Sequence, residues 1–431
     1  MIPRYTLPEM GLLWSDESKF RHWLDVELAV CRVMAEMKLI PMTAWRTIKK
    51  KADFDVDRIN EVEAETNHDV IAFLTSVSEF VGPEAKYIHF GMTSSDMLDT
   101  ALSMQMTKAA KLIDKRVGTA LTKIKRLAMK YKMTPMIGRT HGVAAEPTTF
   151  GLKLAVWYTE LARGRERFKV AAEETRVGAI SGAVGNFANI DPKIEARVCR
   201  YLGLKVAEVS TQVIQRDRHA AYIGALAILA TTLEKFGTEI RNLHRTEIGE
   251  VMEGFAPGQK GSSAMPHKKN PITAERLAGL ARLVRGWSVT ALENIPLWHE
   301  RDIAHSSAER VIIPDSAITV DYALKIFNEV LDRLAVSPRR MHDNIFIYGG
   351  IVFSQRLLLK LTDALGDRDR AYRMVQRNAM KAYQGGPGFQ ELVKADSEVR
   401  EFLDESEIDE CFDMAYYLKN VDKIFKRVFG K

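Results

Sequence analysis

Apolar residues recur three and four positions apart along much of the chain, as in Leu102, Met106, Ala109, Ile113, Val117, Ala120, Ile124 and Leu127. That spacing marks one face of an α-helix. An interior proline costs a helix about 3 kcal/mol, and residues 84–134, 148–191 and 193–256 contain none. Stripe and proline placement together predict a first long helix to about Lys132, a second from about Thr149 to Thr175, and a third from about Arg216 to Ile248. Two more are expected from Ile272 to Glu293 and from Ala308 to Arg333, with Pro296 and Pro314 leaving their ends open. Such segments exceed the usual ~11–12 residues of a globular helix and point to an extended bundle. Residues 17–80 read as shorter helices, and a further helical region begins near Arg340. Period-two alternation is nearly absent; Val177–Gly182 is the one candidate short hairpin. The fold class is therefore all-α.

Composition narrows the partners. A chain of 431 residues, 46% hydrophobic, suits two or three domains. Its 62 Lys and Arg against 56 Asp and Glu give a net charge of +6. This points weakly to anionic ligands, and without a dense basic run interleaved with aromatics it does not suggest nucleic acid. Cys31, Cys199 and Cys411 are far apart and odd in number, as expected of reduced thiols in a cytoplasmic protein. The first residues lack the pattern of a secretory signal. The longest uncharged stretch, His219 to Leu233, is too short to cross a membrane.

Three segments concentrate chemistry. Gly258-Gln259-Lys260-Gly261-Ser262-Ser263-Ala264-Met265-Pro266-His267-Lys268-Lys269-Asn270-Pro271 crowds hydroxyls and basic groups between glycines. Such a loop can move and neutralise a polyanion, but the glycine after Lys260 breaks the order of a P-loop; a solvated interhelical connection is the plainer reading. In Gly138-Arg139-Thr140-His141-Gly142, followed by Glu146-Pro147-Thr148-Thr149-Phe150-Gly151 at an expected helix start, His141 can be held in a tight turn and exchange a proton near neutrality. Alone, it is better read as a structural or surface histidine. Gly91-Met92-Thr93-Ser94-Ser95-Asp96 places hydroxyls before a long helix, where free N–H groups favour an anion, although capping by Ser95 or Asp96 is the default. His299 and His305 are six apart, not the four of a helical zinc pair, so no metal is expected.

In order and spacing these segments resemble the three signature regions of the fumarase/aspartase superfamily, and Gly261-Ser262-Ser263-Ala264-Met265-Pro266-His267-Lys268-Lys269-Asn270-Pro271 is the most specific match. The resemblance implies a three-domain plan: an N-terminal helical domain over 1–93, a central long-helix bundle over 94–341 and a C-terminal helical domain over 342–431. It also implies a homotetramer whose core holds twenty helices. Arg4-Tyr5, Thr66-Asn67-His68-Asp69-Val70, and Gly142-Val143 after Thr140-His141 resemble the adenylosuccinate lyase branch. Fumarases and argininosuccinate lyases typically carry Leu-Gln after the equivalent histidine, and the 3-carboxy-cis,cis-muconate cycloisomerases, the nearest rivals, usually lack that histidine. A cycloisomerase, an argininosuccinate lyase, a non-catalytic protein recruited from the superfamily and a basic nucleic-acid scaffold stand as alternatives.

The branch implies release of fumarate from succinylated purine nucleotides, without a cofactor. His141 resembles its general acid, Glu275 its orienting carboxylate, and Ser262, rather than its neighbour Ser263, its base. Lys268 and Asn270 would stabilise the carbanion, and His68 would join the catalytic set. For substrate binding the resemblance points to Arg4, Tyr5, Asn67, His68, Asp69, Thr93, Ser94, Gln212, Arg301 and the run Ser306, Ser307, Ala308, Glu309, Arg310, with His89 on the phosphate side. It further implies that each site draws its three signature regions from three subunits.

Overall fold

The computed structural model describes residues 1–255, 258, 264–265 and 267–430. Its helices, in chain order, are α1 (Pro8–Leu13), α2 (Asp16–Glu36), α3 (Met42–Lys51), α4 (Val56–Thr66), α5 (Asp69–Val81), α6 (Ser94–Lys130), α7 (Phe150–Glu174), α8 (Pro192–Leu202), α9 (Asp217–His244), α10 (Ile272–Glu293), α11 (Ala304–Arg333), α12 (Pro338–Ile345), α13 (Ser354–Leu365), α14 (Arg368–Tyr383) and α15 (Phe389–Ala395), with shorter helices beyond. The chain is all-α apart from short strand pairs. The five long helices stand where the apolar stripes and prolines put them. The third ends four residues early, at His244, because the chain turns through Gly249, whose φ is +62°. The fifth begins four residues early, where the Asp302 carboxylate accepts the Ala304 N–H at 2.8 Å, and it runs through Pro314.

The strands are where the sequence reading departs most from the structure. Val177–Gly182 is not a hairpin: β3 (Val177–Gly178) pairs in parallel with β4 (Lys205–Val206). The real hairpin is β1 (Pro135–Thr140) with β2 (Val143–Thr149), so Glu146–Thr149 lie in a strand, and α7 starts only at Phe150. A third antiparallel pair joins β5 (Val251–Met252) to β6 (Ala335–Val336).

Contacts divide the chain into two compact units. The first comprises Met1–Thr119, Arg163–Lys235 and Arg276–Phe327. Its core buries the apolar faces of α2, α5 and α8, with Phe20, Trp23, Phe54 and Phe73 in mutual ring contact. Each fully buried ring of this size contributes about 1.5–3 kcal/mol. The long helices are cross-tied: Arg165 of α7 forms a fork with Asp114 of α6 at 2.6 and 2.8 Å, Phe168 packs on Tyr222 of α9, and Arg276 of α10 donates to Tyr322 of α11.

The second unit comprises Ala120–Ala162, Phe236–Glu275 and Asn328–Lys431. Here Trp157 of α7 stacks on Phe236 of α9 at 4.6 Å, and Lys153 pairs with Glu239 at 2.7 Å. The last hundred residues pack Leu357, Leu361, Met374, Phe389 and Val393 into their own core. Gly254 is wedged against the C-terminal end of α11, where an added Cβ would lie 1.8 Å from the Arg333 carbonyl oxygen. Gly254→Ala must displace β5 or α11, and is expected to destabilise the protein by about 1–3 kcal/mol. Denaturant unfolding beside the parent protein measures this; an unchanged midpoint would mean that the backbone yields freely there.

Candidate active site

His141 sits at the tip of the β1–β2 hairpin. Thr140 pairs with Val143, leaving His141 and Gly142 as a two-residue loop with φ values of +54° and +79°. Positive φ at both centres is what a type I′ turn requires, and its twist matches that of the flanking strands. The ring is thereby presented at an exposed tip. Behind it, Arg139 grips the fully buried Glu250 through two bonds of 3.1 and 2.7 Å, and Asn344 of α12 donates to the same carboxylate at 2.8 Å. Ile137, Ile345, Val352 and Phe353 close the apolar side.

The signature loop is described only in part. Ser262 and Ser263 lie outside the described residues. Lys268 is exposed, Asn270 is half-buried, and Glu275 is exposed in the first turn of α10. That turn is held by a residue the sequence reading missed. Glu253 is 3% exposed, and its carboxylate accepts the Thr273 N–H at 3.1 Å and the Ala274 N–H at 3.0 Å. It caps α10 from twenty residues upstream, where an anion suits the free amides of a helix start. His244 accepts the Glu253 N–H at 3.5 Å, and burial pushes its pKa down.

The remaining candidates belong to the first unit. Asn67, with φ of +50°, ends α4, and His68 caps α5, its Nδ1 accepting the Ile71 N–H at 3.4 Å. The outer nitrogen of His68 is left facing away from that bond. Asp69 pairs with Arg310. Tyr5 packs on Tyr322 of α11 at 5.2 Å, with Arg4 exposed beside it. Gln212 accepts from Arg301 at 3.1 Å. Arg301, Ser306, Glu309 and Arg310 line a cleft of about 290 Å³, together with Ser95 and Asp99 of α6. Ser307 is exposed and Ala308 half-buried on the same turn of α11.

Thr93 and Ser94 stand at the N-terminus of α6. Neither Ser95 nor Asp96 is the cap: the helix already includes Ser94, and the Asp96 carboxylate reaches back to accept the Thr93 N–H at 2.9 Å. Asp96 also accepts the Ser181 N–H at 2.9 Å, which ties the helix start to the segment after β3. Burial raises its pKa despite these amides. His89, with φ of +60°, is held by Glu27 of α2: one carboxylate oxygen takes the His89 N–H at 2.8 Å and the other faces Nδ1 at 2.6 Å. Burial alone would lower the pKa of His89, but the Glu27 carboxylate holds it above the ordinary value. The clue to Glu27 in the sequence was a carboxylate on the apolar face of α2, among Trp23, Leu24, Val30 and Cys31.

Residues 4–286 match the lyase family model, and residues 350–428 match that of the adenylosuccinate lyase C-terminus. The chain is 52% identical over 429 residues to an adenylosuccinate lyase of Synechocystis, covering 99% of this chain and 100% of that protein. It is 50% identical to an adenylosuccinate lyase of Bacillus subtilis, covering 99% of each. The chain belongs to the adenylosuccinate lyase family. Membership makes it a carbon–nitrogen lyase of the fumarase/aspartase superfamily. Among solved structures it is similar to a fumarate lyase of Mesorhizobium (TM-score 0.91, 26% identity, 100% of this chain and 99% of that one). It is also similar to a 3-carboxy-cis,cis-muconate lactonizing enzyme of Pseudomonas putida (TM-score 0.89, 29% identity, 98% and 96%).

Proposed function

We propose that the chain eliminates fumarate from adenylosuccinate to give AMP, and from the succinylaminoimidazole-carboxamide ribonucleotide to give the carboxamide ribonucleotide. The observation that carries this is the match along nearly the whole chain to two adenylosuccinate lyases, joined to the match of residues 350–428 to the adenylosuccinate lyase C-terminus. Ser262 takes the proton from the carbon next to a carboxylate, and the electron pair moves into that carboxylate as an aci-carboxylate. Lys268 and Asn270 stabilise this charge. The pair then returns to form the carbon–carbon double bond, the bond to nitrogen breaks, and His141 gives the departing nitrogen its proton. Glu275 orients His141, and His68 completes the catalytic set.

Arg4, Tyr5, Thr93, Ser94, Gln212, Arg301, Ser306 and Arg310 together take the nucleotide phosphate, the ribose and the two carboxylates, with His89 on the phosphate side. Arginines give fork contacts to such anions. Asn67, Asp69, Ser307, Ala308 and Glu309 complete the surround. The functional division follows 1–93, 94–341 and 342–431. The protein works in the cytoplasm as a homotetramer with a twenty-helix core, each site drawing on three chains; among the described residues no helix is long and apolar enough to cross a membrane. Incubation of the purified chain with adenylosuccinate, scored by equal release of AMP and fumarate, tests the activity. No release by folded protein would overturn it.

A pH prediction follows from the Glu27–His89 pair. A folded pKa above the ordinary 6.5 means that the imidazolium, and the stability it lends, is fully present below 6.5 and lost as pH rises through the folded value. Glu27→Gln removes the larger part of what raises that pKa and leaves only the Asp96 carboxylate to oppose burial. Just above pH 6.5, where the parent ring keeps a proton that the variant ring loses, KM for adenylosuccinate should rise by about fivefold, equivalent to about 1 kcal/mol, with the gap narrowing as the pH falls. A KM ratio independent of pH would remove His89 from the phosphate side.

A further inference from the structure

Arg216 stands just before α9, 4% exposed, and no part of the mechanism above uses it. Its guanidinium has five N–H donors and makes five bonds. Nε and Nη2 form a fork with the two oxygens of Glu309 at 2.7 and 3.0 Å. Nη1 and Nη2 form a second fork with Asp99 at 2.7 and 3.0 Å, and Nη1 also donates to the Ile214 carbonyl at 2.6 Å. Asp99 in turn accepts the Ile214 N–H at 2.8 Å. Both carboxylates are buried, at 4% and 7% exposure.

The three partners lie on the three segments of this unit that carry most of the proposed substrate ligands. Asp99 is on α6, five residues after Ser94. Ile214 is two residues after Gln212. Glu309 is on α11, between Ser306 and Arg310. Glu309 lines the cleft, yet both its oxygens are engaged by Arg216, and His219 stands 3.5 Å from one of them. Burial would raise the pKa of Glu309, but His219 and Arg216 hold it down at about 2. It is therefore ionised and already satisfied at neutral pH.

We propose that Arg216 is a positioning residue that sets the helix start at Thr93 and Ser94, the Gln212 segment and the Ser306–Arg310 turn in mutual register, and that Glu309 serves the substrate only through it. This rests on the substrate residues proposed above. A lysine at 216 keeps the charge but cannot make two planar forks, so the three segments lose their common reference while Ser262 and His141, on other segments, are untouched.

The experiment compares kcat, KM for adenylosuccinate and thermal midpoint for the full-length parent, Arg216→Lys, Glu309→Gln, their double variant and Arg310→Ala. Arg216→Lys should raise KM by about tenfold or more with kcat changed by less than about threefold. Glu309→Gln, nearly isosteric and the safer variant for folding, should also raise KM, and the double variant should add little to the larger single effect, since both break one linkage. A purely structural residue would lower the thermal midpoint and leave KM of the folded enzyme alone. If Arg310→Ala raises KM while Arg216→Lys and Glu309→Gln do not, the positioning role is overturned. Additive effects in the double variant would give Glu309 its own contact with substrate and overturn the second half of the proposal. If Arg310→Ala leaves KM unchanged, the fault lies in the substrate-residue reading instead; the Arg216 role then falls too unless Arg216→Lys still raises KM.

Discussion

His141→Gln is expected to lower kcat by about 10²–10⁴-fold, the usual contribution of a positioned general acid or base, with KM close to that of the parent. The position makes the test a clean one. His141 occupies a left-handed conformation in a two-residue turn, which histidine and asparagine tolerate better than most side chains. His141→Asn therefore keeps the turn and removes the acid, and it should be as inactive as the glutamine variant. A hairpin merely disturbed by substitution would show in Gln more than in Asn, and in near-ultraviolet circular dichroism. Near-normal turnover by either folded variant would exclude His141 as the proton donor.

Ser262→Ala is expected to have a loss of comparable size, about 10²–10⁴-fold in kcat, while Ser263→Ala should be milder. A free hydroxyl is a weak base, so its alkoxide must be stabilised by cations or amides, for which Lys268 of the same signature segment is a candidate. The two serines differ in one further readout. If Ser262 abstracts the proton, Ser262→Ala should also abolish exchange of the transferred hydrogen with deuterium from solvent in the presence of fumarate and AMP. Retained exchange in Ser262→Ala with loss in Ser263→Ala would move the base one residue along.

The long helices were legible because their period is carried by many residues at once: the stripe from Leu102 to Leu127 stays in phase for about seven turns, and prolines bound it. The His141 hairpin was not, because β1 and β2 contain Pro135, Gly138 and Pro147 and bury few of their residues, so alternation is weak. The signal that could have found it is the His141-Gly142 pair, both able to take positive φ, flanked directly by the β-branched Thr140 and Val143. Neither Glu253 nor Arg216 was visible as a fixture. The helix start that Glu253 caps and the carboxylates that Arg216 grips lie 20 to 117 residues away, and such pairings follow from the fold, not from local spacing. Conversely, Glu309 was legible as part of a motif, but its geometry shows a carboxylate tied to Arg216 and His219.

In the proposed enzyme the acid and the base stand on different segments and, once the tetramer assembles, on different chains. The most direct test mixes two variants, His141→Gln and Ser262→Ala, after dissociation, and lets them reassemble. Each alone should be inactive on adenylosuccinate. Mixed tetramers can hold some sites with both residues intact, so AMP and fumarate release should return to a substantial fraction of the parent rate. Mixed tetramers verified by mass, yet still without turnover, would contradict shared sites and place His141 and Ser262 of each site on a single chain.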